Sequence, residues 1–256
     1  GMDARHFPST QTGRAAAVNR GLERVETAFA AITDDDCLVA HDWLPTLVRR
    51  LREAPGTIVT GRVEADGDEP AVALMTVRTP ALYRRPLLRR DVLCGGNMGI
   101  SREVLGRIGL LDEDPRLRAA EDCEWSYRAL RAGVPIAYAP EVVVRHCSWR
   151  DEAQRADQYQ SYARSHGGFY GKYLRQGDLF IALRVVIHLL RALKRWVVGA
   201  ATGNRDTFEI TKVGSGQIEL RMDSAGNLDI QGALTENRSE ERRVGKECRS
   251  RWSPYH

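Results

Sequence analysis

Cys94–His146 reads CGGNMGISREVLGRIGLLDEDPRLRAAEDCEWSYRALRAGVPIAYAPEVVVRH. Gly95–Gly96 break the chain, and Asn97–Ile100 follows as a short apolar strand. Ser101 is placed to cap a helix running through Ile108, which Gly109 ends. Asp112–Arg118 is polar and reads as a loop. Glu121–Ala132 has helical spacing and opens on paired acids, which suit a helix N-terminus. Gly133 stops it, and Pro135–Val144 is an apolar strand running on to His146. Strand, helix and strand in alternation predict an α/β fold.

Upstream, Gly13–Phe29 reads as a helix with Ala17, Leu22, Val25 and Phe29 on its apolar face. The apolar run Phe29–Thr33 ends abruptly in Asp34, Asp35 and Asp36. A strand whose C-terminal end delivers carboxylates into a crevice is the usual site geometry of an open α/β sheet. Asp42 is a plausible cap for a helix over Trp43–Leu51, with Pro45 in its first turn. Thr57–Ala65 and Ala71–Arg78 read as strands joined by the turn DGDEP. Thr79–Val92 is irregular and carries Arg84, Arg85, Arg89 and Arg90. It serves either as a solvated loop or as a loop beside the site that meets an anion.

Downstream, Asp151–Arg175 reads as a polar-aromatic helix interrupted at Gly167–Gly168. LFIALRVVIHLLRALKRWVVGAA follows. In it Arg184, His188, Arg191 and Arg195 recur as one cationic stripe, which argues against a spanning helix. The helix lies either in the plane of an anionic membrane surface or docked on its own domain with a basic outer face. From Thr207 the pattern changes to alternating residues with turns at Gly214–Gly216 and Gly226–Asn227, a β-meander signature.

The net charge of +4 says little. Arg238–His256 holds six basic and three acidic residues, leaving the rest of the chain near +1. Nothing there favours nucleic acid as a partner. Five cysteines without a CxxC pair read as a reduced, cytoplasmic chain. The first eleven residues lack the apolar core of a secretory signal.

The chemistry rests on two acid clusters. Three aspartates at a strand end form a hard-oxygen set suited to Mg²⁺ or Mn²⁺, particularly one shared with a diphosphate. Asp122 at a helix N-terminus could deprotonate an acceptor hydroxyl. Each cluster also has a purely structural reading, as solvated acids or as helix-dipole partners. His146 at a strand end is either structural or a third group at a metal or phosphate site.

Taken together and in order, NRGLERVETAFAAITDDDCLVAHDWL, CGGNMGISREVLGRIGLLDED and AEDCEWSYRALRAGVPIAYAPEVVVRH resemble family 2 glycosyltransferases of the GT-A fold, over roughly Gly13–Gly203. The resemblance implies that Asp34 and Asp35 bind the donor, and that a divalent metal sits on Asp36 first, with Asp34; His146, from its own place at a strand end, is the third candidate at that metal. It implies that Asp122 is the catalytic base, with Glu121 beside it, and that Gly95, Gly96 and Asn97 line the pocket. It further implies inverting transfer from a nucleotide-diphospho-sugar to a glycan or lipid-linked acceptor; the amphipathic helix adds an expected place at the inner face of the cell membrane.

The sequence departs from the family at both ends. Only about thirty residues precede Asp34, where the family has further β-α units of roughly 30 residues each. The reading is of an N-terminally truncated, impaired enzyme with an exposed sheet edge. At the other end, Arg238–His256 resembles a translated sequencing adapter. The segment before it resembles phage-tail and surface-fibre repeats. The expected divisions are 1–177, a partial GT-A domain; 178–203, an amphipathic helix; 204–237, a small β segment; and 238–256, an artefactual tail. The rival readings are a non-catalytic binding or structural module and a surface-fibre fragment.

Overall fold

A computed structural model describes residues 5–7, 12–67, 74–147 and 152–201, and three short strands farther on. Helix α1 (Arg14–Leu22) is followed by strands β1 (Phe29–Ile32) and β2 (Cys37–Val39) and by helix α2 (Trp43–Glu53). Strands β3 (Ile58–Asp66), β4 (Ala81–Tyr83) and β5 (Met98–Ser101) come next, then helix α3 (Arg102–Ile108) and a 3-10 turn at Pro115–Leu117. Helix α4 (Glu121–Arg131), strand β6 (Ile136–Cys147) and helices α5 (Glu152–Arg175) and α6 (Leu179–Ala201) complete the main body. Strands β7 (Phe208–Glu209), β8 (Arg221–Met222) and β9 (Leu228–Asp229) form a separate antiparallel sheet. The expected turns of that meander, and 238–256, lie outside the described residues.

The main sheet has the order β1-β5-β3-β6-β2, with β4 also paired to β6. β3 and β6 run parallel, and β5 is antiparallel to both β1 and β3. β1 lies at an edge with β5 as its partner. Trp43, Leu47, Val59, Val142 and Val144 pack together between α2 and the sheet. Ile32, Ile58, Met98, Ile100, Trp125 and Ile136 fill a second core that includes residues of α1, α3 and α4. Leu117, Tyr127, Phe169 and Ile181 join α5 and α6 to the 3-10 turn and α4.

The local signals around Cys94–His146 hold. The Val104 N–H donates to Ser101 Oγ at 3.2 Å, and Gly109 and Gly133 each take φ of 73°. That left-handed conformation costs glycine little and stops both helices.

Elsewhere the structure corrects the sequence reading. The first helix ends at Leu22, because Phe29 is already paired to Ser101 in β1. Asp42 precedes α2 without a side-chain capping bond. Within 74–78 the expected second strand is reduced to one bridge, Met75 to Val63. The arginine-rich loop contributes β4 instead. Gly167–Gly168 do not interrupt α5. The missing side chain at Gly168 admits the backbone of Arg116, whose carbonyl oxygen would lie 2.2 Å from a Cβ there.

The β3–β6 register shifts between Gly61 and Arg62, where Pro140–Val142 bulge out of β6. Gly61 makes room for that bulge: a Cβ would sit 2.0 Å from the Val142 carbonyl oxygen. Gly61→Ala is therefore expected to lower unfolding stability by roughly 3 kcal/mol, as backbone on both strands must move. Urea denaturation followed by tryptophan fluorescence checks it, and a loss under about 1 kcal/mol would show the bulge to be pliable.

Candidate active site

The site is built at the C-terminal end of β1. Asp34 leaves the strand there, and Arg14 of α1 reaches across to it, Nε to Oδ1 at 2.7 Å. The same guanidinium donates from Nη1 to Glu121 Oε1 at 3.1 Å. One arginine thus bridges the acid at the end of β1 and the first acid of α4, which lies 107 residues after the arginine itself. Burial works against the Arg14 charge, but Asp34, Glu121 and Asp122 together strengthen it. Burial and the nearby Asp122 push the Glu121 carboxyl upward against the pull of Arg14. Burial likewise pushes Asp34 up, with Arg14 opposing and Asp36 and Asp122 adding to the rise. Three carboxyl groups, those of Asp34, Glu121 and Asp122, act on the one Arg14 guanidinium, with Asp36 adding negative charge beside Asp34.

Asp122 sits beside this bridge. Its Oδ2 accepts the Gly95 N–H at 2.9 Å, and its Oδ1 accepts the Cys123 N–H at 2.7 Å. Gly95 and Gly96 are glycines because the pocket wall is tight. A Cβ on Gly95 would meet the Arg14 guanidinium at 2.7 Å. One on Gly96 would lie 3.0 Å from Asp34 Oδ2 and 3.1 Å from Cys37 Sγ.

A second group adjoins the first through Cys37. Asp36, Cys37 and His146 bring one potential ligand atom each within 4.8 Å of one another. His146 Nε2 lies 3.6 Å from Asp36 Oδ2, and its Nδ1 is buried without a hydrogen-bond partner. β2 and β6 impose the arrangement by pairing Cys37 directly with His146. Burial and the charges of Asp36 and Asp34 push the Cys37 thiol well up, so it stays protonated.

The predicted residues therefore divide. Asp34, Asp122, Gly95 and Gly96 converge, and Asp36 with His146 forms the neighbouring group. Asp34 stands outside that group, held by Arg14. Asp35 is exposed and makes none of these contacts. Glu121 is 3% exposed and is bonded to Arg14. Asn97 is buried and committed to the fold: its Oδ1 accepts from Trp43 Nε1, and its Nδ2 donates to the carbonyls of Arg62 and Val142, each at 2.9 Å. It pins the bulge opposite Gly61.

Sequence reasoning missed Arg14 and Cys37. Arg14 carries no motif; its one signal is a cation beside the otherwise small, buried face of Ala15, Ala16 and Asn19. It also missed Glu124, fully buried and held by Lys172 Nζ and Tyr173 Oη, each at 2.7 Å, with Arg128 at 3.0 Å. That network ties α4 to α5.

A sequence-family match to glycosyltransferase like family 2 covers residues 5–163, more than half of the chain. The chain belongs to that family. The match takes in Arg14, both acid clusters and His146, and it ends within α5. The mixed α/β sheet and its helices are the GT-A architecture. Among solved structures, mannosyltransferase PcManGT from Pyrobaculum calidifontis, in complex with GDP-Man and Mn²⁺, is 18% identical with a TM-score of 0.47. GalNAc-T7 with UDP, GalNAc and Mn²⁺ is 22% identical with a TM-score of 0.40. The alignments cover 75% and 55% of this chain, and 56% and 31% of those chains. No curated protein matches the sequence.

Proposed function

We propose that the chain transfers a sugar, with inversion, from a nucleotide-diphospho-sugar to a hydroxyl of a glycan or lipid-linked acceptor. The observation that carries this reading is the placement of Asp122. Its carboxylate is fixed by two backbone N–H groups at the mouth of α4, beside a second cluster of metal-type ligands. Each oxygen accepts one hydrogen bond and keeps a lone pair for an incoming hydroxyl. Asp122 takes the acceptor proton as the hydroxyl oxygen attacks the anomeric carbon. The bond to the diphosphate oxygen breaks on the opposite face. Arg14 holds Asp34 and Glu121 apart from that path and fixes α1 against α4.

The residues present fit a divalent cation. Asp36 supplies hard oxygen, His146 has an unsatisfied buried nitrogen, and Asp34 lies within electrostatic reach of Asp36. Mg²⁺ or Mn²⁺ held there would supply the positive charge that stabilises a departing diphosphate.

Release of nucleoside diphosphate from a panel of UDP- and GDP-sugars, measured with and without acceptor, tests the function. No turnover with any donor, alongside unimpaired metal binding, would favour a non-catalytic binding module. The metal site has its own test. Asp36→Ala and His146→Ala are each expected to weaken Mn²⁺ binding by at least about tenfold in calorimetric titration, and exposed Asp35→Ala to leave it unchanged. Equal affinities across the three variants would remove the metal assignment.

A further inference from the structure

α6 is turned opposite to the way its sequence suggested. Arg184, the first member of the expected outward cationic stripe, is 2% exposed and makes a two-pronged ion pair with Asp91, 2.7 Å on each arm. His188 stacks on Tyr170 on the same inward side. The solvent side carries Leu179, Leu183, Val186, Leu190 and Leu193 instead. Leu179 is 83% exposed and Leu190 60%. Alternate spacings of four and three keep these five on one face of a helix, over a run of roughly 21 Å. A helix on a globular domain ordinarily buries such a face. A contiguous exposed apolar patch of this length marks an interaction site.

The surrounding charge indicates the occupant. No acidic residue occurs in 179–201, and Lys194 is exposed next to Leu193. The Asp91–Arg184 pair also tethers the loop before Asp91 to the second turn of α6. In that loop Arg84, Arg85, Arg89 and Arg90 are all exposed, and 79–90 contains no acid. An exposed apolar ridge, on a helix tied through Arg184 and Asp91 to a loop of exposed arginines, suits a layer with an apolar interior and anionic headgroups. A second copy on the same ridge would bring two arginine loops together with no acids to meet them. No helix among the described residues is long and apolar enough to cross a membrane, so the geometry is docking in the plane.

We infer that the outer face of α6 and the 84–90 arginine loop together form a docking surface for an anionic lipid layer. Asp91, which tethers that loop, is grouped with Cys123, the neighbour of Asp122. The lipid surface would therefore lie close behind the wall that carries the base. The proposal stands apart from the transferase reading, since its test needs no turnover.

Co-sedimentation of the full chain with phosphatidylcholine vesicles, with and without phosphatidylglycerol, tests it. Binding is expected to vesicles containing phosphatidylglycerol and to weaken with salt. Leu183→Glu with Leu190→Glu should abolish it. Arg84→Gln and Arg85→Gln should each lower the partition coefficient roughly fivefold. Both ridge positions are exposed, so circular dichroism should show the fold intact. Absence of binding to anionic vesicles, or equal binding by the double glutamate variant, overturns the proposal. So does a dimer in light scattering that the glutamates disperse, which would assign the ridge to a second copy.

Discussion

Asp122→Asn is expected to lower kcat for sugar transfer by roughly a hundred- to ten-thousandfold, the range for loss of a general base. The substitution is nearly isosteric. The Asn carbonyl oxygen can still accept the Gly95 N–H that Asp122 Oδ2 accepts at 2.9 Å. What it loses is the capacity to take a proton, together with the acceptor at Cys123 N–H, a bond worth about 1 kcal/mol. The melting temperature should therefore fall by only a few degrees. Donor KM should change little, because the donor-side acids Asp34 and Asp36 are untouched. A loss confined to kcat separates a catalytic base from a residue that merely shapes the pocket, which would raise KM as well. Glu103→Gln, at an exposed position of α3, serves as the control and should retain full turnover. Undiminished turnover by Asp122→Asn, measured at saturating donor and acceptor, would remove the base assignment.

The contrast between Asp122 and Asn97 shows where sequence reading works. Asp122 is announced locally by its place in the first turn of a helix whose start and stop are both written nearby. Asn97 follows two glycines in the same stretch, and pocket lining is the natural inference. Its work, however, is to satisfy two carbonyls freed by a bulge at Val142, 45 residues away. No local pattern encodes that partner. Arg14 poses the same difficulty over a longer distance, and Gly168 in reverse. A glycine pair reads as a helix break until the backbone it admits is known. In α6, periodicity revealed the two faces correctly. Which face meets the domain depends on a buried carboxylate at Asp91, and hydropathy alone points the other way.

That carboxylate carries the second large expected effect. Asp91→Ala should lower unfolding stability by about 3–5 kcal/mol, because it strands the Arg184 guanidinium in the interior without a counter-charge. Arg184→Ala should cost a comparable amount by stranding Asp91. Replacing both with apolar residues, Asp91→Leu with Arg184→Met, should recover most of the loss, since a well-packed apolar pair often matches a buried ion pair. Urea unfolding of the three variants supplies the measurement, and a single-variant loss below about 1 kcal/mol would show that the pair carries no such weight. The pH dependence has a definite sign. Burial pushes the Asp91 carboxyl up, but the Arg184 charge and the His166 beside it outweigh burial and hold it at about 2, below its ordinary 3.8. A carboxyl depressed on folding stabilises the protein above its unfolded value. Its contribution, about 2 kcal/mol, drains away as pH falls from near 4 through 2. The acid limb of the stability curve should be correspondingly shallower in Asp91→Ala. Because the same pair fixes both α6 and the arginine loop, Asp91→Ala should also weaken vesicle binding, although neither Asp91 nor Arg184 is exposed to touch a lipid. The apolar double variant should then restore stability and the α6 ridge together, so its vesicle binding should follow its stability.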